Sequence, residues 1–172
     1  MANNCFYTMR VEGKKDDVME FHKRMQDYDA PNHLFRMFDA SIINEQENND
    51  GSFTIEVSGD CAWSIESCCR ASGYSEGVDL LAVNSKELGL VIECFSEESG
   101  MCFQEHYLYD HGECRIDACV DWNQYYYDES TYESFEDFKE RFDLPEDLTE
   151  DDLDDGDYYS IGGFPDYCEF SI

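Results

Sequence analysis

The sequence predicts an α+β fold, an antiparallel sheet with helices packed on one face. Three observations lead there. Period-two apolar alternation recurs along the chain and marks half-buried strands. Stripes of helical period fall between the early strands, giving the order strand, helix, strand, helix, strands. Twelve Phe, twelve Tyr and two Trp in 172 residues supply core material, at a length where folding buries roughly 70% of the unfolded surface.

Residues 3–12 alternate, with Cys5, Tyr7, Met9 and Val11 on one side and Thr8, Arg10 and Glu12 on the other. Gly13 ends that strand. Val18, Phe21, Met25 and Tyr28 then form one helical stripe. The stretch 29–50 is polar and mixed, and Asn48-Asn-Asp-Gly51 is a turn signal. Phe53, Ile55 and Val57 mark the second strand. Residues 62–71 predict a helix that packs Trp63, Ile65 and the Cys68–Cys69 pair, and 78–88 predict another.

The most regular stretch follows. Leu90, Ile92 and Cys94 form a strand face, and Ser96-Glu-Glu-Ser-Gly100 reads as a loop. Met101, Phe103, Glu105, Tyr107 and Tyr109 line the next strand, and Asp110-His-Gly112 is a three-residue loop. Cys114, Ile116, Ala118 and Val120 complete a meander. Ser130-Thr-Tyr-Glu133 reads as a capping box for a helix over 131–142 with the stripe Tyr132, Phe135, Phe138 and Phe142. Thr149-Glu-Asp-Asp152 starts a short helix, since acids suit a first turn. Residues 154–157 form a loop and 167–172 a closing strand. The expected organisation is a domain over 1–120 and an acidic helical extension over 121–172 that returns to the sheet, together one globular unit.

Charge narrows the function. The chain has 41 acids and 11 Lys plus Arg, net −30. Residues 1–36 are balanced, with six of each, so the excess lies beyond them. Such a surface repels nucleic acid and anionic membranes and attracts basic proteins. The aromatic content argues for a folded acidic protein rather than a disordered one. No run approaches a membrane span, and residues 1–7 lack the pattern of a signal peptide. Nine cysteines, an odd number without an export signal, read as reduced thiols in a cytoplasmic protein.

The Asn4-Cys5 strand, Val11-Glu-Gly13 and the following helix, with the hairpin Leu88-Gly-Leu-Val-Ile-Glu-Cys-Phe-Ser-Glu-Glu-Ser-Gly-Met-Cys-Phe-Gln-Glu-His-Tyr107, resemble the YubB ferredoxin-like domain family over about the first 120 residues. The resemblance implies a ferredoxin-like sheet, here with additional strands and an acidic helical C-terminal segment. It implies plasmid and phage association and no established reaction, so it transfers no catalytic residue. Where that family has aromatic-Gly-x-Lys-Trp, this chain reads Ser58-Gly-Asp-Cys-Ala-Trp63 without the Lys.

Cys102, His106, His111 and Cys114 are zinc-ligand types. On a strand, however, four residues span about 13 Å, and zinc needs its ligands within roughly 2.3 Å of one ion. A calcium loop with Gly156 at its sixth position would have Leu153 third and Gly162 twelfth, which are not ligands. Cys94 or Cys102 with His106 has no surrounding nucleophile motif. Glu97 and Glu98 lie in an apparent hairpin loop, a poor site for split carboxyl pKa values. No phosphate-cradling Gly-x-x-x-x-Gly-Lys is present.

The expectation is therefore a non-enzyme with no catalytic residue, no cofactor and no metal. Its acids imitate a nucleic-acid backbone, one charge per about 3.4 Å along a strand, and occupy the basic groove of a nucleic-acid-binding defence enzyme of the CRISPR effector or restriction type. The expected partner residues are Glu133, Glu136, Asp137, Glu140, Asp147, Glu150, Asp151, Asp152, Asp154, Asp155 and Asp157. The competing expectation is a protein-interaction module that uses its sheet and aromatics such as Tyr125, Tyr126 and Tyr127, with acidity serving solubility.

Overall fold

The computed structural model describes residues 3–154 and 156–172. Seven strands form one sheet: β1 (Asn4–Gly13), β2 (Ser41–Glu47), β3 (Phe53–Ala62), β4 (Val91–Glu98), β5 (Phe103–Asp110), β6 (Glu113–Tyr126) and β7 (Tyr158–Gly162). Their spatial order is β2-β3-β1-β4-β5-β6-β7, antiparallel throughout. The helices are α1 (Lys15–Gln26), α2 (Ile65–Cys69), α3 (Leu80–Leu88) and α4 (Phe135–Phe142). The α+β class with an antiparallel sheet is as the periodicity predicts.

The predicted alternation sets the main core. Cys5, Tyr7, Met9 and Val11 of β1 and Ile55 and Val57 of β3 are buried with Val18, Phe21 and Met25 of α1. Arg24 of α1 is buried too, because Asn84 and Glu87 of α3 and Glu20 accept from its guanidinium. Asp79 caps α3 by accepting from Ala82 N–H at 2.9 Å, and Gly89 ends it in the left-handed region. Tyr28 corrects the α1 stripe: the helix ends at Gln26 and that ring is exposed.

Five other expectations are corrected. β2 lies in the stretch read as mixed polar. It is an edge strand with a bulge after Ile42 and only that residue half-buried, so it carries no alternation to read. α2 begins at Ile65 because Trp63 adopts φ +69°, which turns the chain and leaves the indole 39% exposed. β4 runs on to Glu98, whose carboxylate accepts from Gly100 and Met101 N–H, so the reversal occupies 99–102 and exposes Met101. The β5–β6 loop has two residues, His111 and Gly112, both at positive φ as a tight hairpin turn requires. The last strand is β7, and residues 167–172 are not a strand at all.

The segment 163–172 instead lies on the sheet face opposite the helices. Tyr167 and Phe170 pack edge-on to Phe95 with centroids 5.5 Å away, and Phe164 packs edge-on to His106. Phe164 N–H donates to Gln104, and Arg10 donates to the Ile172 carbonyl. A second, smaller cluster centres on Tyr127, Phe138, Leu144 and Leu148. β6 runs from the main sheet to this cluster. All nine cysteines are free, and Cys5, Cys61, Cys68, Cys69 and Cys94 are core side chains. Among the described residues no helix is long and apolar enough to cross a membrane.

Candidate protein-binding face

The acidic face is built on the small aromatic cluster. Along the end of β6, Tyr127 turns inward, Tyr125 is half-buried and Tyr126 is half exposed, as alternation requires. β7 pairs alongside and sets Tyr158 against Tyr126, ring centroids 5.0 Å apart. α4 lays Phe138 at the centre, with Tyr127, Tyr132, Phe135 and Phe142 within 5.7 Å of it.

The cap of α4 lies four residues later than expected. Ser134, not Ser130, accepts from Asp137 N–H at 3.1 Å. Ser130 is held instead by Asp128, which accepts from its N–H and its hydroxyl at 2.8 Å. Those bonds hold the Asp128 carboxyl below its ordinary value. The short helix expected from Thr149 is a 3-10 turn over Glu150–Asp152, and a capping box between Thr149 and Asp152 starts it.

Glu133, Glu136, Asp137, Glu140, Asp147, Glu150, Asp151, Asp152, Asp154 and Asp157 are all exposed. Asp155 lies outside the described residues. Glu150, Asp151 and Asp157 come together around a cleft walled by Tyr126, Tyr127 and Leu153. Asp128 and Glu129 join them there; neither was expected, and the only hint was the adjoining Tyr run. Glu136 meets Glu150 and Asp151 at a neighbouring hollow, and Asp147 and Asp152 flank a third beside Tyr159. Glu133, Asp137, Glu140 and Asp154 line none of the three. Some acids have local duties: Asp152 caps its turn, and Asp154 accepts from Gly156 and Tyr158 N–H.

Little positive charge offsets these acids. Beyond residue 120 the chain has 18 acids and two bases, Lys139 and Arg141. Lys139 is 6% exposed and its ammonium donates to the Glu146 and Leu148 carbonyls at 2.8 and 3.1 Å, with Glu136 beside it. It pins the 144–148 turn inside the fold. Arg141 lies over the Tyr132 ring.

Cys94 and His106 lie on opposite faces of the sheet. Cys94 pairs with Tyr107 on the helix face, whereas His106 pairs with Phe95 on the other face. His106 donates instead to Glu93 at 2.8 Å, and Glu93 also accepts from Ser171 N–H and hydroxyl. The acid sits between serine and histidine, so the histidine has no hydroxyl to deprotonate. Among the described residues no group of three His, Cys, Asp or Glu is placed to hold a metal ion.

Burial would raise the Glu93 carboxyl, but the His106 and Ser171 hydrogen bonds outweigh it and hold the group below its ordinary value. A depressed carboxyl stabilises the fold above its unfolded pKa, and that contribution is lost as pH falls through the folded value. The melting-temperature gap between the wild type and Glu93→Gln is therefore expected to shrink as pH falls from the ordinary glutamate value of 4.5 through the lower folded one. A gap that stays constant over that range would show that Glu93 ionisation does not secure the 163–172 segment.

The chain matches no protein-family model, no curated protein and no solved structure.

Proposed function

We propose that this chain is a non-catalytic, cytoplasmic acidic protein that occupies the nucleic-acid groove of a basic partner, a defence enzyme of the CRISPR effector or restriction type. The observation that carries the reading is the arrangement of charge over 133–157. Among the described residues twelve acids are exposed on a packed aromatic scaffold, while one of the two bases in that region is consumed inside it. Charges held on folded structure keep their spacing, as phosphates on a duplex do, and their mutual repulsion is relieved when a basic groove closes on them. The order β2-β3-β1-β4, with α1 and α3 as the crossovers, is also that of a ferredoxin-like unit, with β5 to β7 added at one side. That supports the resemblance to the YubB-like domain and, with it, the context of a mobile element.

The competing reading keeps the binding and drops the mimicry. It draws on Tyr126 and Tyr158, which are exposed beside the acids. The two differ in salt dependence, because mimicry is electrostatic and aromatic docking is not.

The test is a variant with Glu133→Gln, Glu140→Gln, Asp147→Asn, Glu150→Gln and Asp151→Asn. None of these side chains forms a cap in the fold. Against a basic partner captured from nucleic-acid-free lysate, the variant is expected to associate about tenfold more slowly and with a flatter salt dependence. Duplex DNA is expected to compete for the same partner. Unchanged association rate and salt slope would eliminate mimicry by this face.

A further inference from the structure

β6 is longer than the strand that covers it. β7 pairs only with Trp122–Tyr126, which leaves Glu113–Asp121 with one open side. Two hydrogen bonds fix which backbone groups face that side. Trp122 N–H donates to the Cys102 carbonyl on the β5 side, and the Asp121 carbonyl accepts from Gly163 N–H on the other. Backbone polar groups alternate sides along a strand, so Asp117 and Cys119 also point away from β5. Among the described residues no hydrogen bond reaches the N–H or C=O of Asp117 or Cys119, or the N–H of Asp121. These five groups form an unpaired strand edge.

The two faces flanking this edge differ. Ile116, Ala118 and Val120 are half-buried on the face shared with His106. Asp117, Cys119 and Asp121 lie on the helix face, where Asp117 and Glu66 meet at Arg70. Burial raises the Cys119 thiol, and the nearby charges of Glu105, Asp121 and Glu66 raise it further. An incoming strand must therefore be apolar at one set of alternate positions and basic at the other. A second copy of the chain fits poorly, since it brings its own net charge of −30.

We propose that Asp117–Asp121 of β6 is a docking edge for an extended segment of a partner protein in which Lys or Arg alternates with Val or Ile. This rests on the reading of a basic partner but uses none of the acids over 133–157. The probe is a synthetic peptide of alternating Lys and Val, compared with a peptide of the same residues arranged in two blocks. The readout is amide hydrogen exchange resolved by residue. The alternating peptide is expected to slow exchange at Asp117, Cys119 and Asp121 by about tenfold. Cys119→Pro removes one outward N–H and leaves the β5 ladder intact, as proline on an edge strand does. Protection at Asp117 and Asp121 is then expected to vanish, while Cys119→Ser keeps it.

The same protection is expected in the variant with five neutralised acids, so failure of this edge and failure of mimicry are read separately. Equal protection by the block peptide would overturn the proposal, and that comparison stands even where the proline variant misfolds. Protection retained in a folded Cys119→Pro would also overturn it. So would amides already slow in the chain alone, which would mean that a second copy covers the edge.

Discussion

Phe138→Ala is expected to unfold the acidic region while leaving the main sheet folded. Phe138 is fully buried and contacts four aromatic rings. Truncating such a side chain costs about 3–5 kcal/mol. The cluster around it has only four buried hydrophobic members, so little else there can absorb the loss. The main core has its own, larger set of side chains. Amides of α4 and β7 should therefore lose exchange protection in the variant, whereas those of β1 and β4 keep theirs. Equal loss in β1 would show that the two clusters fold as one cooperative unit. The substitution leaves the net charge at −30, so it separates shape from charge. If a basic partner still binds the variant at the wild-type rate, a rigid display of acids is not what it recognises.

The sequence was most legible where burial imposes a period. β1 and β3 bury alternate residues, and α1 buries Val18, Phe21 and Met25 at helical spacing, whereas β4 buries Ile92 to Ser96 without a break because 163–172 covers its second face. It was silent where burial is weak: β2 holds its place through backbone pairing with β3, and every side chain but Ile42 is exposed. It misled where aromatics pack without a strand. Cys168, Phe170 and Ile172 alternate as strand residues do, yet Tyr167 and Phe170 both pack on Phe95 from a segment that is not a strand. The helical stripe of α4 was readable, but its start was not. Two Ser-x-x-acid patterns follow each other there, and only the side-chain bonds of Asp128 decide between them. The acids could be counted in the sequence. Their gathering around the Tyr126–Tyr127 cleft could not, because it depends on β7 and the 150–152 turn folding back beside β6.

Glu105→Ala is expected to be the most damaging single change in the main sheet. Glu105 is 2% exposed, and four donors converge on it. Ser96 hydroxyl and Ile65 N–H donate to one oxygen at 2.6 and 2.9 Å, and Tyr107 hydroxyl and Glu66 N–H donate to the other at 2.9 and 3.3 Å. The two amides belong to the first turn of α2, so this carboxylate joins β5 to that helix. Burial nevertheless raises the Glu105 carboxyl above its ordinary value, against the pull of those four donors. Alanine would strand all four donors in the core, at a cost of about 3–5 kcal/mol. Glu105→Gln keeps the shape and one oxygen. The Tyr107 hydroxyl can turn to accept from the new amide, which leaves mainly Glu66 N–H unmet, for a cost of about 1–2 kcal/mol. The raised carboxyl also sets a sign. Its folded form holds the proton more tightly, so its contribution to stability falls as pH rises from the unfolded value through the folded one. Urea titrations of the wild type and Glu105→Gln should therefore converge as pH rises through that window. A gap that widens with pH would mean that the four donors, rather than burial, dominate the ionisation of Glu105.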